Sequence, residues 1–300
     1  MEKIQSFQIP QAQLDKIYAK MGIPLGFQFT PIKEALYMIT NKFFLAFNYT
    51  TLDLHIKGRK PLALDLNDLI DRMCIKDLGA LCYEHDLLIY YLLKHLGFDV
   101  SFVEVQITFE RKKWDTVAPS THAFVYVQLN GLSYVLDPGA GNLAYRYPIE
   151  FDPSKDLNEI YLSKEEGYRI ESDEDQYYLS TTFPSDNNGE FSVFYIFQRP
   201  IIKRDVADIE AAYKRLFTWE EFLRIRDSRF FSVKRTLEGL ILVMFVKDAE
   251  QFVALRKEYK RGKPTEKHVY RTYEEFREDT IQIIGVQIPS RDDVIANIFE

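Results

Sequence analysis

The stretch "HAFVYVQLNGLSYVLDPGAG", His122 to Gly141, consists of two apolar runs joined by Asn130-Gly131, followed by a glycine-rich turn. Asn-Gly accepts positive φ at both turn positions, which a two-residue hairpin loop requires. The pairing then places Leu129 opposite Leu132 and Phe124 opposite Asp137. His122 and Asp137 become diagonal neighbours on one face, with Cβ atoms no more than about 7–8 Å apart. An imidazole and a carboxylate can hydrogen-bond across that gap. The carboxylate would hold the ring tautomer and stabilise its cation. A plain cross-strand polar pair is the alternative at this point. In "DPGAGN", Gly139 and Gly141 allow a close backbone approach to a substrate, or simply end the strand.

Forty residues upstream of His122 lies "DLGALCYEHDLL", Asp77 to Leu88, with Cys82 at an inferred helix start. The positive end of a helix dipole lowers a thiol pKa, and a nearby imidazole lowers it further. A buried space-filling cysteine is the other reading. Cys74, the second of two cysteines, shares an amphipathic stripe with Leu66, Leu69 and Ile70 and reads as core. Of the remaining histidines, His95 lies in a last helical turn where its charge suits the dipole. His55, His85 and His268 read as surface or local structure.

Around these segments the pattern is helices, then antiparallel strands, then a mixed end. "QAQLDKIYAKMG" puts Leu14, Ile17 and Tyr18 on one face and stops at Gly22. "TPIKEALYMITNKFFLAF" is a second helix with Pro31 in its first turn. "YEHDLLIYYLLKHLGF" is a third, ending at Gly97. "VEVQITF", "YYLSTTF" and "FSVFYIFQ" read as strands, the last two separated by the turn-rich "PSDNNG". Beyond Arg204, "DVADIEAAYKRLF" and "WEEFLRIRDS" read as helices, "LILVMFV" at Leu240–Val246 as a buried strand, and "TYEEFREDTIQIIG" as a closing helix. The runs "SDED" (Ser172–Asp175) and "RKEYKRGK" (Arg256–Lys263) read as solvated surface. The basic run has a phosphate contact as its alternative.

Composition narrows the function classes. A chain of 300 residues, 46% hydrophobic and 28% charged, is ordinary for a globular protein with one to three packed parts. A net charge of -7 disfavours general nucleic-acid or anionic-membrane binding. The longest aliphatic run is too short to span a bilayer, and "MEKIQSFQIPQAQ" lacks the apolar core of a signal peptide. The expected location is therefore the cytoplasm. Two cysteines give neither a disulfide framework nor Cys/His metal spacing, and no phosphate-binding or dinucleotide-binding glycine pattern occurs.

Taken together, Cys82, His122 and Asp137 resemble the nucleophile, base and carboxylate of the arylamine N-acetyltransferases. That family's catalytic stretch reads R-G-G-x-C-x-E-x-N, and "LGALCYEHD" (Leu78–Asp86) keeps Gly79, Cys82 and Glu84. Its second block is a strand histidine and a hairpin into D-V-G-F-G, matched by His122 and "DPGAG". The segment "AFNYTTLDLHIKGRKPLALDLNDLIDRM" is similar to its "PFENLD…G…LD" lead-in, and "TYEEFREDTIQIIGVQIP" to its closing helix and "FGI". The resemblance implies an α+β, three-part acetyltransferase fold with a cysteine-protease-like catalytic core. It would consist of a helical domain (1–99), an antiparallel β-barrel domain (100–203) and an α/β lid (204–300).

It also implies ping-pong acyl transfer through an acetyl-Cys82 intermediate. Acetyl-CoA would be the donor substrate, with no metal and no tightly bound cofactor, and an arylamine or arylhydrazine the acceptor. Phe47, Gly139, Ala140 and Gly141 fall at expected substrate-binding positions, and backbone N–H groups of Cys82 and the glycine loop are candidates for the oxyanion. Several positions depart from the pattern. The family's Arg, second Gly and Asn become Leu78, Ala80 and Asp86. Its lead-in Glu and Asn become Asn48 and Tyr49, and in the loop its Val and Phe become Pro138 and Ala140. If the family Arg and Glu pair with each other, losing both leaves no orphaned charge. A papain- or transglutaminase-like thiol hydrolase uses the same Cys, His, Asp order, and a non-catalytic binding module is the third possibility.

Overall fold

A computed structural model of the chain describes residues 7–55, 64–108, 111–117, 120–164, 166–183, 190–218, 229–248, 251–288 and 290. The helix expected over "WEEFLRIRDS" and the turn over "PSDNNG" lie outside the described residues, as does part of the lead-in.

The first part is built from α1 (Gln11–Met21), α2 (Lys33–Ala46), α3 (Leu52–His55), α4 (Leu66–Ile70) and α5 (Cys82–His95). α1 ends at Gly22 in the left-handed region, as its sequence predicts. α2 opens at Lys33, two residues past Pro31, because Ile32 is still extended. Asp65 caps α4 by accepting from the N–H groups of Asn67 and Asp68, and α4 then runs into a π-helical turn at Asp71–Ile75. α5 is buried on nearly every side, with Leu87, Leu88, Ile89, Leu92 and Leu93 all at 0% exposure. Each such side chain contributes about 1.5–3 kcal/mol on burial, against about 1 kcal/mol for a typical helix cap. Packing therefore supplies most of what holds α5 in place.

The second part is an antiparallel sheet that nearly closes into a barrel. Its strands are β2 (Asp99–Ile107), β3 (His122–Leu129), β4 (Leu132–Leu136), β5 (Ile149–Phe151), β6 (Leu157–Tyr161), β7 (Gly167–Ser172), β8 (Gln176–Thr181), β9 (Ser192–Gln198) and β10 (Lys203–Arg204). Their order is β5-β4-β3-β2-β9-β8-β7-β6, with β10 alongside β2 and β5 returning next to β6. Both faces of β3 are buried. Ala123, Val125 and Val127 meet the helical core, whereas Phe124 and Tyr126 join Val103, Val135, Phe151 and Phe197 inside the barrel. This explains why β3 reads as one apolar run instead of an alternation.

The third part is a five-stranded sheet of order β1-β11-β12-β13-β14, comprising β1 (Tyr49–Thr50), β11 (Arg229–Arg235), β12 (Gly239–Asp248), β13 (Gln251–Lys260) and β14 (Glu266–Tyr270). α6 (Val206–Leu216) leads into it and α7 (Tyr273–Ile284) closes it. β12 carries "LILVMFV". Val243 and Phe245 pack with Phe230, Tyr270 and Phe276 on one face, and Leu240 and Leu242 pack with Tyr49 and Tyr259 on the other. The basic run expected on the surface forms the end of β13 and the turn after it. Arg256 pairs with Asp279 and Glu258, Lys260 with Glu258 and Glu266, and Arg261 with Glu166. The charges of Arg256, Lys260 and Arg261 thus meet carboxylates of this sheet, α7 and the barrel. Among the described residues no helix is long and apolar enough to cross a membrane.

Candidate active site

The start of α5 is held by its own motif residues. Glu84 Oε2 accepts from the N–H of Leu81 at 2.8 Å, and its other oxygen accepts from the Tyr213 hydroxyl at 3.1 Å. Arg72 lies 3.4 Å from Glu84 and donates to the Gly79 carbonyl at 2.9 Å. An arginine from the π-turn thus meets the motif glutamate, although the motif arginine position itself is Leu78. Gly79 has φ +70°, and a Cβ there would stand 2.9 Å from Thr50 Cγ2 and 3.0 Å from the Asn48 carbonyl. That crowding is where β1 runs past Ala80, with Thr50 N–H donating to the Ala80 carbonyl and Ala80 N–H to that of Asn48. Cys82 is half-buried and touches both the helical core and the Tyr49–Leu240 cluster of the third part.

The hairpin supplies the second side. Asn130 and Gly131 both have positive φ, Leu129 pairs with Leu132 and Val125 with Leu136, as the sequence predicts. His122 and Asp137 lie on the barrel face, and His122 Nε2 stands 2.7 Å from Asp137 Oδ2 with both side chains buried. The Tyr195 hydroxyl donates to the same oxygen. The Tyr83 ring, next to Cys82, lies 6.3 Å from the imidazole centroid and the Tyr195 ring 5.2 Å from it.

The loop after Asp137 locks hairpin and helix together. A Cβ on Gly139 would stand 2.5 Å from the Cys82 carbonyl, 2.9 Å from Cys82 Cα and 2.7 Å from Asp86 Oδ2. The close approach that Gly139 permits is therefore to α5 itself. Its N–H is given to Asp86 Oδ1 at 3.3 Å, so it is not free for an oxyanion. Gly141, at φ +61°, lies against Phe231 and Tyr49. Ala140 is half-buried beside the barrel core. Phe47 is buried against Phe43, and its carbonyl accepts from Arg235. Since backbone atoms crowd Gly139, Gly139→Ala must displace the loop from α5. Misplacement of about 1 Å costs on the order of 10²-fold in rate, so kcat/KM should fall by that much, and thermal melting should show a lower midpoint.

The electrostatics differ from the sequence expectation. Burial pushes the Cys82 thiol well above its usual range, a negative charge on Asp86 adds to that push, and the Tyr83 N–H opposes it only in part. A helix start lowers a thiol pKa when water and cations surround it. Here Asp86, Asp137 and Glu84 are the acidic neighbours. Cys74, read as core, is pushed up to about 12 by burial.

The other histidines are structural. His85, read as surface or local structure, is the latter: it is fully buried, with Nδ1 2.9 Å from the Leu81 carbonyl, and burial and Arg235 lower its pKa to about 3. His55 is buried near Thr51. His95 accepts from the Ile9 N–H, and burial lowers its pKa, so it does not serve as a dipole-paired cation. His268 faces Glu275.

Three residues had no signal in sequence. Tyr195 comes from a strand 58 positions after Asp137. Arg72 sits on the π-turn. Arg235, buried at the end of β11, donates to the carbonyls of Pro138, Gly141 and Phe47. Asp86 was visible only as a departure from a motif. With His122 and Asp137 it forms a group whose ligand-type atoms lie within 4.8 Å of one another.

The sequence pattern of the N-acetyltransferase family matches residues 34–231, well over half of the chain. The chain belongs to that family. The family's curated arylamine N-acetyltransferase from Mycolicibacterium smegmatis is 26% identical over 152 residues, covering 49% of this chain and 52% of the relative. The chain spans about half, or less, of the length of the curated relatives it matches. Solved structures of the family extend the likeness in fold. The Mycobacterium abscessus arylamine N-acetyltransferase superposes with a TM-score of 0.75 at 20% identity, over 96% of this chain and 95% of that one. The Mycobacterium marinum arylamine N-acetyltransferase in complex with CoA gives 0.70 at 18% identity, over 95% of this chain and 98% of that one. This family membership and the three-part α+β fold agree with the sequence reading.

Proposed function

We propose that the chain transfers an acetyl group from acetyl-CoA to an arylamine or arylhydrazine through an acetyl-Cys82 intermediate. The buried His122–Asp137 hydrogen bond of 2.7 Å, set against the start of α5, carries this reading. Because burial disfavours a free thiolate, the Cys82 proton must go to a base inside the site. His122 takes it, and Asp137 stabilises the imidazolium. Sulfur attacks the thioester carbonyl, the tetrahedral adduct collapses, and CoA leaves as its thiol with the proton from His122. The amine then attacks acetyl-Cys82, His122 removes the amine proton, and the Cys82 thiol is restored. The M. marinum complex supports a CoA thioester as donor. Family membership favours transfer over the papain-like hydrolytic reading of the same residue order.

Initial rates of CoA thiol release, measured against acetyl-CoA at several fixed amine concentrations, test the scheme. Parallel reciprocal lines are expected; lines that converge would mean that both substrates bind before any chemistry. A second test concerns Ala140, which stands where the resemblance places Phe and is half-buried at the barrel edge. Ala140→Phe should reduce kcat/KM for bulky arylamines about tenfold relative to small ones, the scale of roughly one or two methylenes in a pocket. An unchanged size preference would remove Ala140 from the acceptor site.

A further inference from the structure

Beside the proposed triad lies a second buried carboxyl group that the reaction scheme does not use. Asp86 is one helical turn after Cys82 and 0% exposed. Its Oδ1 accepts one long hydrogen bond, from Gly139 N–H at 3.3 Å, and its Oδ2 has no partner among the described residues. Asp137 Oδ2 accepts from both His122 and Tyr195, and its Oδ1 is also buried without a partner among them. Orphaned buried oxygens on two carboxyl groups that approach within 4.8 Å of one another call for a proton or a cation. The 2.7 Å separation of His122 Nε2 and Asp137 Oδ2 is a hydrogen-bond distance. It is shorter than the spacing of two ligands around one ion at metal–ligand distances of about 2.0–2.2 Å.

We infer that Asp86 is an uncharged carboxylic acid that shares its proton with Asp137, serving as a positioning residue that keeps a second negative charge away from Cys82. This role rests on the acetyl-transfer reading above. A neutral carboxyl has an acceptor oxygen for the Gly139 N–H and a donor O–H on the other oxygen, the same pair of functions as an amide. That explains how Asp can occupy the position where the resemblance places Asn.

The groups facing Asp86 divide: Asp137 favours the uncharged form, the Gly139 N–H and Arg235 favour the charged one, and burial with Asp137 outweighs them. The set comprises Cys82 and Tyr83 from α5, His122 from β3, Asp137 at the end of β4, Tyr145 from the following loop, Tyr195 from β9 and Arg235 from β11. Arg235 is the fixed cation of this set, and it hydrogen-bonds the carbonyls of Pro138, Gly141 and Phe47. Burial and the Asp137 charge both push the Asp86 carboxyl well above the usual carboxylate range. The proton rests on Asp86 because Asp137 already accepts two hydrogen bonds on one oxygen.

Ionisation of Asp86 has a defined consequence. The new charge makes the Cys82 thiolate costlier, so acyl transfer declines as pH rises through the Asp86 pKa. The stability term has the same sign. An unfolded chain gives Asp86 an ordinary carboxyl pKa, so its contribution is full below that value and is lost as pH rises through the raised folded one.

Infrared spectroscopy of the substrate-free protein reads the proton directly. The wild-type minus Asp86→Asn difference spectrum at neutral pH should show the C=O band of a protonated carboxylic acid, which titrates away on raising pH. The pH dependence of kcat/KM for CoA release is the second readout. The wild type should lose about tenfold per pH unit above that titration, the slope of a single required proton. Asp86→Asn should stay within a few-fold of wild type at neutral pH, lack that limb, and keep this profile in the presence of a chelator. The band needs no turnover, and once the Asp86→Asn difference has assigned it, its pH titration is followed in the wild type alone. Failure of the acetyl-transfer reading would therefore leave the result for Asp86 intact. Absence of the band, or the same alkaline limb in wild type and Asp86→Asn, would overturn the role.

Discussion

Cys82→Ala should reduce acetyl transfer by at least about 10⁴-fold, the scale seen when a nucleophile is deleted from a site whose members act as a unit. No other described cysteine can replace it. Cys74 sits on the π-turn with a thiol pushed up to about 12 by burial, so it offers almost no thiolate at neutral pH. The fold should survive, because the substitution removes one sulfur from a half-buried position flanked by Leu81 and Tyr83, which stay packed. The melting temperature should change little. His122→Ala should cost a similar factor, and the double variant no more than either single one, since thiol and imidazole contribute one proton transfer between them. Steady-state rates with acetyl-CoA and an arylamine, paired with thermal melts, check both statements. Independent, additive losses would mean that Cys82 and His122 do not act on the same proton.

Arg235→Met should destabilise the protein by about 3–5 kcal/mol, the usual penalty for deleting one partner from a buried charged network. The side chain is 4% exposed. It stacks over Phe44 at 4.9 Å and donates to the carbonyls of Phe47, Pro138 and Gly141. Methionine retains most of the stem's volume but leaves three carbonyls without that donor and removes the cation that faces Asp86 and Asp137. Burial lowers the Arg235 pKa only to about 10, so the cation is present at neutral pH. Because Pro138 and Gly141 flank Gly139, the loop should also lose its register on α5, and kcat should fall along with stability. Denaturant unfolding and kcat measured on the same preparation check this. A stable but inactive Arg235→Met would place its role in the chemistry alone, and a stable, active one would remove Arg235 from the account.

The His122–Asp137 pairing at the candidate site was legible in the sequence because local rules place it. Asn130-Gly131 sets a hairpin register, and the register alone puts His122 beside Asp137. The apolar run that follows Cys82 marks α5 and hence the thiol's position at its start. What was not legible depends on pairings distant in sequence. Tyr49–Thr50 has no strand signal of its own; it is a strand because β11, about 180 residues later, lies alongside it. The Arg256–Lys263 run reads as solvated charge because its partners Asp279, Glu266 and Glu166 belong to other elements. The direction of the Cys82 pKa was misjudged for the same reason. A helix start is a local feature, whereas burial beneath the third part, and beside Asp137, is not. Asp86 announced itself only as a mismatch, and its meaning needed Gly139 and Asp137 brought to it in space.

The central claim is that Cys82 carries the acetyl group between donor and acceptor. Intact-mass and peptide mass spectrometry after mixing the protein with acetyl-CoA, without amine, test it most directly. The account predicts one added acetyl group, mapped to the peptide containing Cys82, absent from Cys82→Ala and discharged when an arylamine is added. Amine acetylation that proceeds with no acetyl group ever found on Cys82, or an adduct that persists in Cys82→Ala, would contradict it.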